Sequence, residues 1–78
     1  MKLMKIEYDK EADAAYIYIE HPIGFGQVSK TVELNEDIAI DFDKTGKLLG
    51  IEILDASKVL DKKILIKAET PQKSLSHY

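Results

Sequence analysis

The stretch Asp37-Ile38-Ala39-Ile40-Asp41-Phe42-Asp43-Lys44-Thr45-Gly46-Lys47-Leu48-Leu49-Gly50-Ile51-Glu52-Ile53-Leu54 supports two opposite folds. Asp41 to Glu52 follows a calcium-binding EF-hand loop, with acids at positions one, three and twelve, glycine at six and an apolar residue at eight. That reading needs a helix on each side. The flanks instead alternate with a period of two: Ile38, Ile40 and Phe42 against Ala39, Asp41 and Asp43, then Leu49, Ile51 and Ile53 against Gly50 and Glu52. Alternation of this kind builds strands that bury one face. The stretch is therefore a β-hairpin, turning at Lys44-Thr45-Gly46-Lys47, where Gly46 supplies the left-handed residue.

The same period extends outward. Met4, Ile6 and Tyr8 alternate with Lys5 and Glu7, and Val28, Val32 and Leu34 with Ser29, Thr31 and Glu33. Ala15-Tyr16-Ile17-Tyr18-Ile19 is a continuous run of β-formers. Five strands are expected, at about 4–8, 14–20, 28–34, 38–43 and 48–54. Their short connections favour an antiparallel meander, because parallel neighbours need long crossovers. Asp55-Ala56-Ser57-Lys58-Val59-Leu60 reads as a short helix after strand five, with Asp55 or Ser57 as its N-cap. Ile64-Leu65-Ile66 is too short to assign to helix or strand. The fold class is α+β, mostly β. Residues 1–68 form one β-rich domain, and 69–78, polar and broken by Pro71, form a disordered tail. The alternation phases place Ile6, Ile40, Phe42, Ile51 and Ile53 on one buried face.

At 78 residues and 45% hydrophobic content the chain is one small domain of modest stability. It has no cysteine, hence no disulfide, thiolate metal site or cysteine nucleophile. No apolar run approaches a membrane span and no signal peptide is readable, so the expected setting is cytoplasmic, away from membranes. All 11 basic residues are lysine, the net charge is −3 and no basic stripe appears, which argues against nucleic acid as a partner.

Candidate chemistry is thin. Gly24-Phe25-Gly26 lacks the third glycine of a dinucleotide fingerprint and reads as a loop. His21 and His77 are the two imidazoles, and neither sits in a catalytic or metal-binding pattern. The serines lack a nucleophile elbow. Asp9, Asp13, Asp41, Asp43 and Asp55 stand at turns and strand ends, where aspartate bonds local backbone. No cofactor, metal site or catalytic residue is expected. Tyr16 and Tyr18 share one face of strand two, either as core or as a contact surface.

Ile6 to Ile19 and Asp37 to Ser57 together resemble domain of unknown function 2283, a family of small prokaryotic β-rich proteins; Gly50-Ile51-Glu52-Ile53-Leu54-Asp55-Ala56-Ser57 is the most specific part. The family carries no established activity, so the resemblance implies no catalytic residues. Some relatives are described as antitoxin halves of toxin–antitoxin gene pairs, which implies a toxin-like partner protein. The expected function is a non-enzymatic protein-interaction module, with an antitoxin-like role as the form the resemblance implies. The alternative is a small-ligand or metal-binding domain using the acidic hairpin 41–52. Strands two and five are apolar on both faces, and one short helix cannot cover both. A homodimer is therefore expected, burying Tyr16 and Tyr18 with Leu48 or Leu54 near the contact.

Overall fold

A computed structural model describes residues 2–71, and the side chains of residues 4–71. Five antiparallel strands form one sheet: β1 (Lys2–Asp9), β2 (Ala14–His21), β3 (Lys30–Glu33), β4 (Ile38–Phe42) and β5 (Leu48–Leu54). Two short helices follow, α1 (Ala56–Val59) and α2 (Lys62–Lys67). The mostly β class, the five strands and the helix after strand five are as expected from the alternation. Ile64, Leu65 and Ile66 lie in α2, whose first turn is capped by the Asp61 carboxylate accepting from Lys63 N–H at 2.8 Å.

The neighbour order is β1-β2-β5-β4-β3, so one step departs from a consecutive meander. β1–β2 is a hairpin, β3–β4–β5 is a meander, and β5 folds back to pair with β2. The long loop after His21 permits this by carrying the chain to the far edge. The hairpin reading of Asp41–Glu52 holds: β4 and β5 flank the turn, Gly46 has φ +89°, and Asp41 stands opposite Gly50. A register shift follows, pairing Phe42 with Leu48.

The registers align side chains into rows across the sheet. One row runs Ile6–Ile17–Ile51–Ile40–Val32 and the next Tyr8–Ala15–Ile53–Ile38. Both rows lie on the same face, and the helices cover only part of it. Ala15, Ile53 and Ala56 are buried there, with Tyr8, Ile17, Ile51, Leu60 and Leu65 packed against them. The expectation of one uniformly buried face is corrected here. Of Ile6, Ile40, Phe42, Ile51 and Ile53, only Ile53 is fully buried, at 3% exposed. α1 and α2 are too short to reach over β4 and β3, so Ile38, Ile40 and Phe42 stay only partly buried and Val32 and Leu34 are exposed.

The expected tail begins at Glu69, which is in fact tied to β1. Tyr8 N–H donates to the Glu69 carbonyl and Glu69 N–H to the Ile6 carbonyl, both at 2.8 Å. Residues 72–78 of the expected tail, including His77, lie outside the described residues.

Candidate functional site

The opposite face carries the polar side chains of the same strands. Its rows run Glu7–Tyr16–Glu52–Ala39 and Lys5–Tyr18–Gly50–Asp41–Thr31. Tyr16 and Tyr18, two positions apart on β2, meet edge to face with ring centroids 4.6 Å apart. Each hydroxyl reaches diagonally to a carboxylate. Tyr16 donates to Asp41 Oδ2 at 2.7 Å, and Tyr18 to Glu7 Oε1 at 3.1 Å. Thr31 donates to the other oxygen of Asp41 at 2.6 Å.

To reach Asp41, the Tyr16 ring crosses above Gly50. A Cβ at that position would collide with the ring, which gives Gly50 a steric reason inside a strand where glycine is otherwise unfavourable. Burial, and then the bond to Asp41, hold the Tyr16 hydroxyl protonated far above the usual tyrosine range. Glu7 is buried, at 5% exposed, and its charge is balanced by Lys5 Nζ at 3.2 Å. That bond raises the Lys5 pKa, and Glu69 at 3.5 Å and His21 at 3.4 Å complete the surroundings of Lys5.

Above this floor lies a groove of about 670 Å³, walled by Ile23, Phe25 and Val28 of the β2–β3 loop and by Pro71. Gln27 shapes the loop, accepting from Gly24 N–H through its side chain at 2.7 Å and donating its own N–H to the Gly24 carbonyl. Phe25 is fully exposed at the rim. Glu52 lines the groove as an exposed carboxylate.

The expected contact residues divide among these surroundings. Tyr16 and Tyr18 form the groove floor, half-buried among carboxylates. Leu54 is exposed on the same face beside Ala14, and Leu48 is exposed at the register shift, outside the groove lining. Asp9 accepts from the N–H groups of Glu11 and Ala12, and Asp43 from those of Thr45 and Lys47, which is the local backbone work expected of them. The Asp43 pKa is lowered, first by the Thr45 hydroxyl at 2.6 Å. Asp41 instead serves side chains of two other strands.

Asp13 does more than close a turn. It sits in the left-handed region at φ +51° and accepts from the Tyr8 hydroxyl at 2.7 Å, the Ser57 hydroxyl at 2.7 Å and Ser57 N–H at 3.0 Å. Its carbonyl also accepts from Ala56 N–H. The Tyr8 bond, then the Ser57 bond, lower its pKa. Asp55, at the α1 N-cap position, makes no side-chain cap and adopts φ +50°. The start of α1 is therefore secured from 44 residues away, a bond that strand periodicity does not signal. Glu7 and Phe25 were also not singled out from the sequence. The Lys5/Glu7 alternation signals that Glu7 faces the tyrosines only once the β1–β2 register is known.

Among the described residues, no group of three or more histidine, aspartate or glutamate side chains is arranged to hold a metal ion, and no helix is long and apolar enough to cross a membrane. The pattern of a family described as protein of unknown function, DUF2283, matches residues 5–57. Uncharacterized protein MJ0789 of Methanocaldococcus jannaschii is 46% identical over 66 residues, covering 82% of this chain and 53% of that protein. The chain thus spans about half the length of that curated relative. No solved structure matches.

Proposed function

The chain belongs to the DUF2283 family of proteins of unknown function, and we propose that it is a non-enzymatic, cytoplasmic protein-interaction module that works as a homodimer. The observation that carries this reading is the uncovered half of the apolar face. Ile38, Ile40 and Phe42 are only partly buried and Val32 and Leu34 exposed, while the hydrophobic side chains fully buried among the described residues are Ala15, Leu49, Ile53 and Ala56. So small a core leaves association as the natural way to bury the rest. The tyrosine face supports the non-enzymatic part, because Glu7 and Asp41 are committed to bonds with Lys5, Tyr18, Tyr16 and Thr31. Light scattering across micromolar concentrations tests it: two chains are expected, and a mass of one chain throughout overturns the reading. A toxin-like partner would use the same uncovered half, and a toxin-like gene beside this one is the observation that would favour it.

The groove favours a second reading, the binding of a small organic cation. Tyrosine and phenylalanine faces stand there beside the Glu52 carboxylate. Titration with spermidine, followed by tyrosine emission in this tryptophan-free chain, tests it. Emission unchanged at millimolar spermidine removes this reading.

A further inference from the structure

The uncovered half ends at a sheet edge, and that edge specifies what fits it. β3 is exposed at all four residues, contains no proline, and pairs with β4 in unbroken register from Lys30–Phe42 to Glu33–Ala39. β3 is blunted by its shortness, four residues, and by the charges of Lys30 and Glu33, but it has no proline, no bulge in its described pairing and no covering helix. Leu34 N–H donates to the Ile38 carbonyl at 2.8 Å. Antiparallel alternation then directs the N–H and C=O of Val32 toward Ile40, and those of Thr31 and Glu33 outward. Two residues thus present open backbone donors and acceptors, with Val32 between them. Val32, 40% exposed, is also the open end of the row Ile6–Ile17–Ile51–Ile40–Val32.

We propose that a second copy of the chain pairs antiparallel along this edge, with the two Val32 residues directly opposite each other. The inference rests on the self-association proposed above and gives it an edge contact, which lengthens the sheet at Val32 and leaves Ile38, Ile40 and Phe42 uncovered. A two-fold axis through the edge keeps each face of the sheet continuous with the same face of the other copy, so the pairing is centred on a residue. Only three centres lie within reach. Centring on Glu33 sets two carboxylates opposite one another, a repulsive pair. Centring on Thr31 sets Lys30 opposite Val32 and interrupts the apolar row. Centring on Val32 joins the two rows into one of ten aliphatic side chains. It also matches the outward groups of Thr31 in one copy with those of Glu33 in the other, giving four backbone hydrogen bonds around a close, non-hydrogen-bonded valine pair. Both copies then present one continuous uncovered apolar face.

The chain has no cysteine, so single-cysteine variants report the register directly. Val32→Cys is expected to oxidise to a disulfide-linked dimer, because residues opposite each other at a non-hydrogen-bonded site approach the Cβ separation a disulfide needs. Thr31→Cys is expected to stay at least ten-fold less linked under the same oxidant. Glu33→Pro removes an outward donor and leaves the inner ladder with β4 intact. It is expected to give a folded chain whose light-scattering mass is halved. A native dimer in which Val32→Cys does not link, or Thr31→Cys links as readily, overturns this edge while self-association stands. A Glu33→Pro variant that is folded and still dimeric does the same. A native mass of one chain overturns both.

Discussion

The sheet has two halves with the same sequence pattern and different fates. In β1, β2 and β5, Ala15 and Ile53 are sealed with Ala56 of α1, and Tyr8, Ile17 and Ile51 pack against them partly buried. In β4 and β3 the alternation is as regular, yet no side chain is sealed: Ile38 and Ile40 are partly buried outside the core cluster and Val32 is exposed. Period two says which side chains share a face. What covers that face depends on the reach of later elements, here two helices of four and six residues. The covered half is where the isolated chain holds its stability, and the bare half is where a second copy has something to contribute.

The largest expected effect contrasts the halves directly. Ile53→Ala should cost about 2–5 kcal/mol, the usual range for a sealed isoleucine. Ile40→Ala should cost less, about 1 kcal/mol in dilute protein, since Ile40 is only partly buried. Thermal melts would separate them, each kcal/mol being worth roughly 4–8 °C in a domain of this size. Equal losses in dilute protein would mean that the bare half is buried within a single chain. If the second copy packs on the bare face instead of along β3, the cost of Ile40→Ala should grow with protein concentration, because association stabilises only the folded state.

Next is the tie between the halves on the polar face. Tyr16 leaves β2, crosses Gly50 on β5 and bonds Asp41 on β4. Gly50→Ala should displace the ring and cost about 1–3 kcal/mol, the usual range for overpacking. The paired variant Gly50→Ala/Tyr16→Ala should recover part of that loss. A neutral Gly50→Ala would show that the ring does not lie over the glycine.

These residues also mark how far the sequence could be read. The five strands and the shared face of Tyr16 and Tyr18 followed from alternation, and the hairpin followed from choosing period two over the calcium-loop spacing. The insertion of β5 between β2 and β4 did not, because a period carries no information on which strands become neighbours. Gly50 and Ser57 stood out only within the family resemblance. Their reasons, the Tyr16 ring and the Asp13 carboxylate, come from residues 34 and 44 positions away, and become visible only when register and chain reversal are fixed.

Asp13 gives the covered half its own pH response. Its carboxylate clips α1 to the β1–β2 turn and its pKa is lowered from 3.8 by Tyr8 and Ser57. A lowered folded-state pKa contributes stability above the unfolded value of about 4, and loses it as pH falls through the folded value. Asp13→Asn tolerates the left-handed backbone and removes the charge. It should lower the melting temperature at pH 7 by a few degrees and flatten the loss between pH 4 and 2, compared with the native chain. The flattening should be partial, since Asp43 in the β4–β5 turn also has a lowered pKa. An acid limb as steep as the native one would place the acid sensitivity elsewhere.

The smallest expected effect is none at all, and it lies in the hairpin joining the covered and bare halves. The acids of the calcium-like spacing are divided by the strand geometry. Asp41 and Glu52 point to the groove face, where Asp41 is held by Tyr16 and Thr31. Asp43 turns its Oδ1 to the N–H groups of Thr45 and Lys47 and the hydroxyl of Thr45. A calcium loop would have to pull Asp43 and Thr45 out of the turn that sets the β4–β5 register. Millimolar calcium should therefore leave the melting temperature where a chelator leaves it. A site filled at 100 times its dissociation constant would add about 2.7 kcal/mol, an upward shift of roughly 10–20 °C on the scale above. Such a shift, lost in Glu52→Gln, would mean that the hairpin gives way to a metal-bound loop, and with it the register on which both halves of the sheet depend.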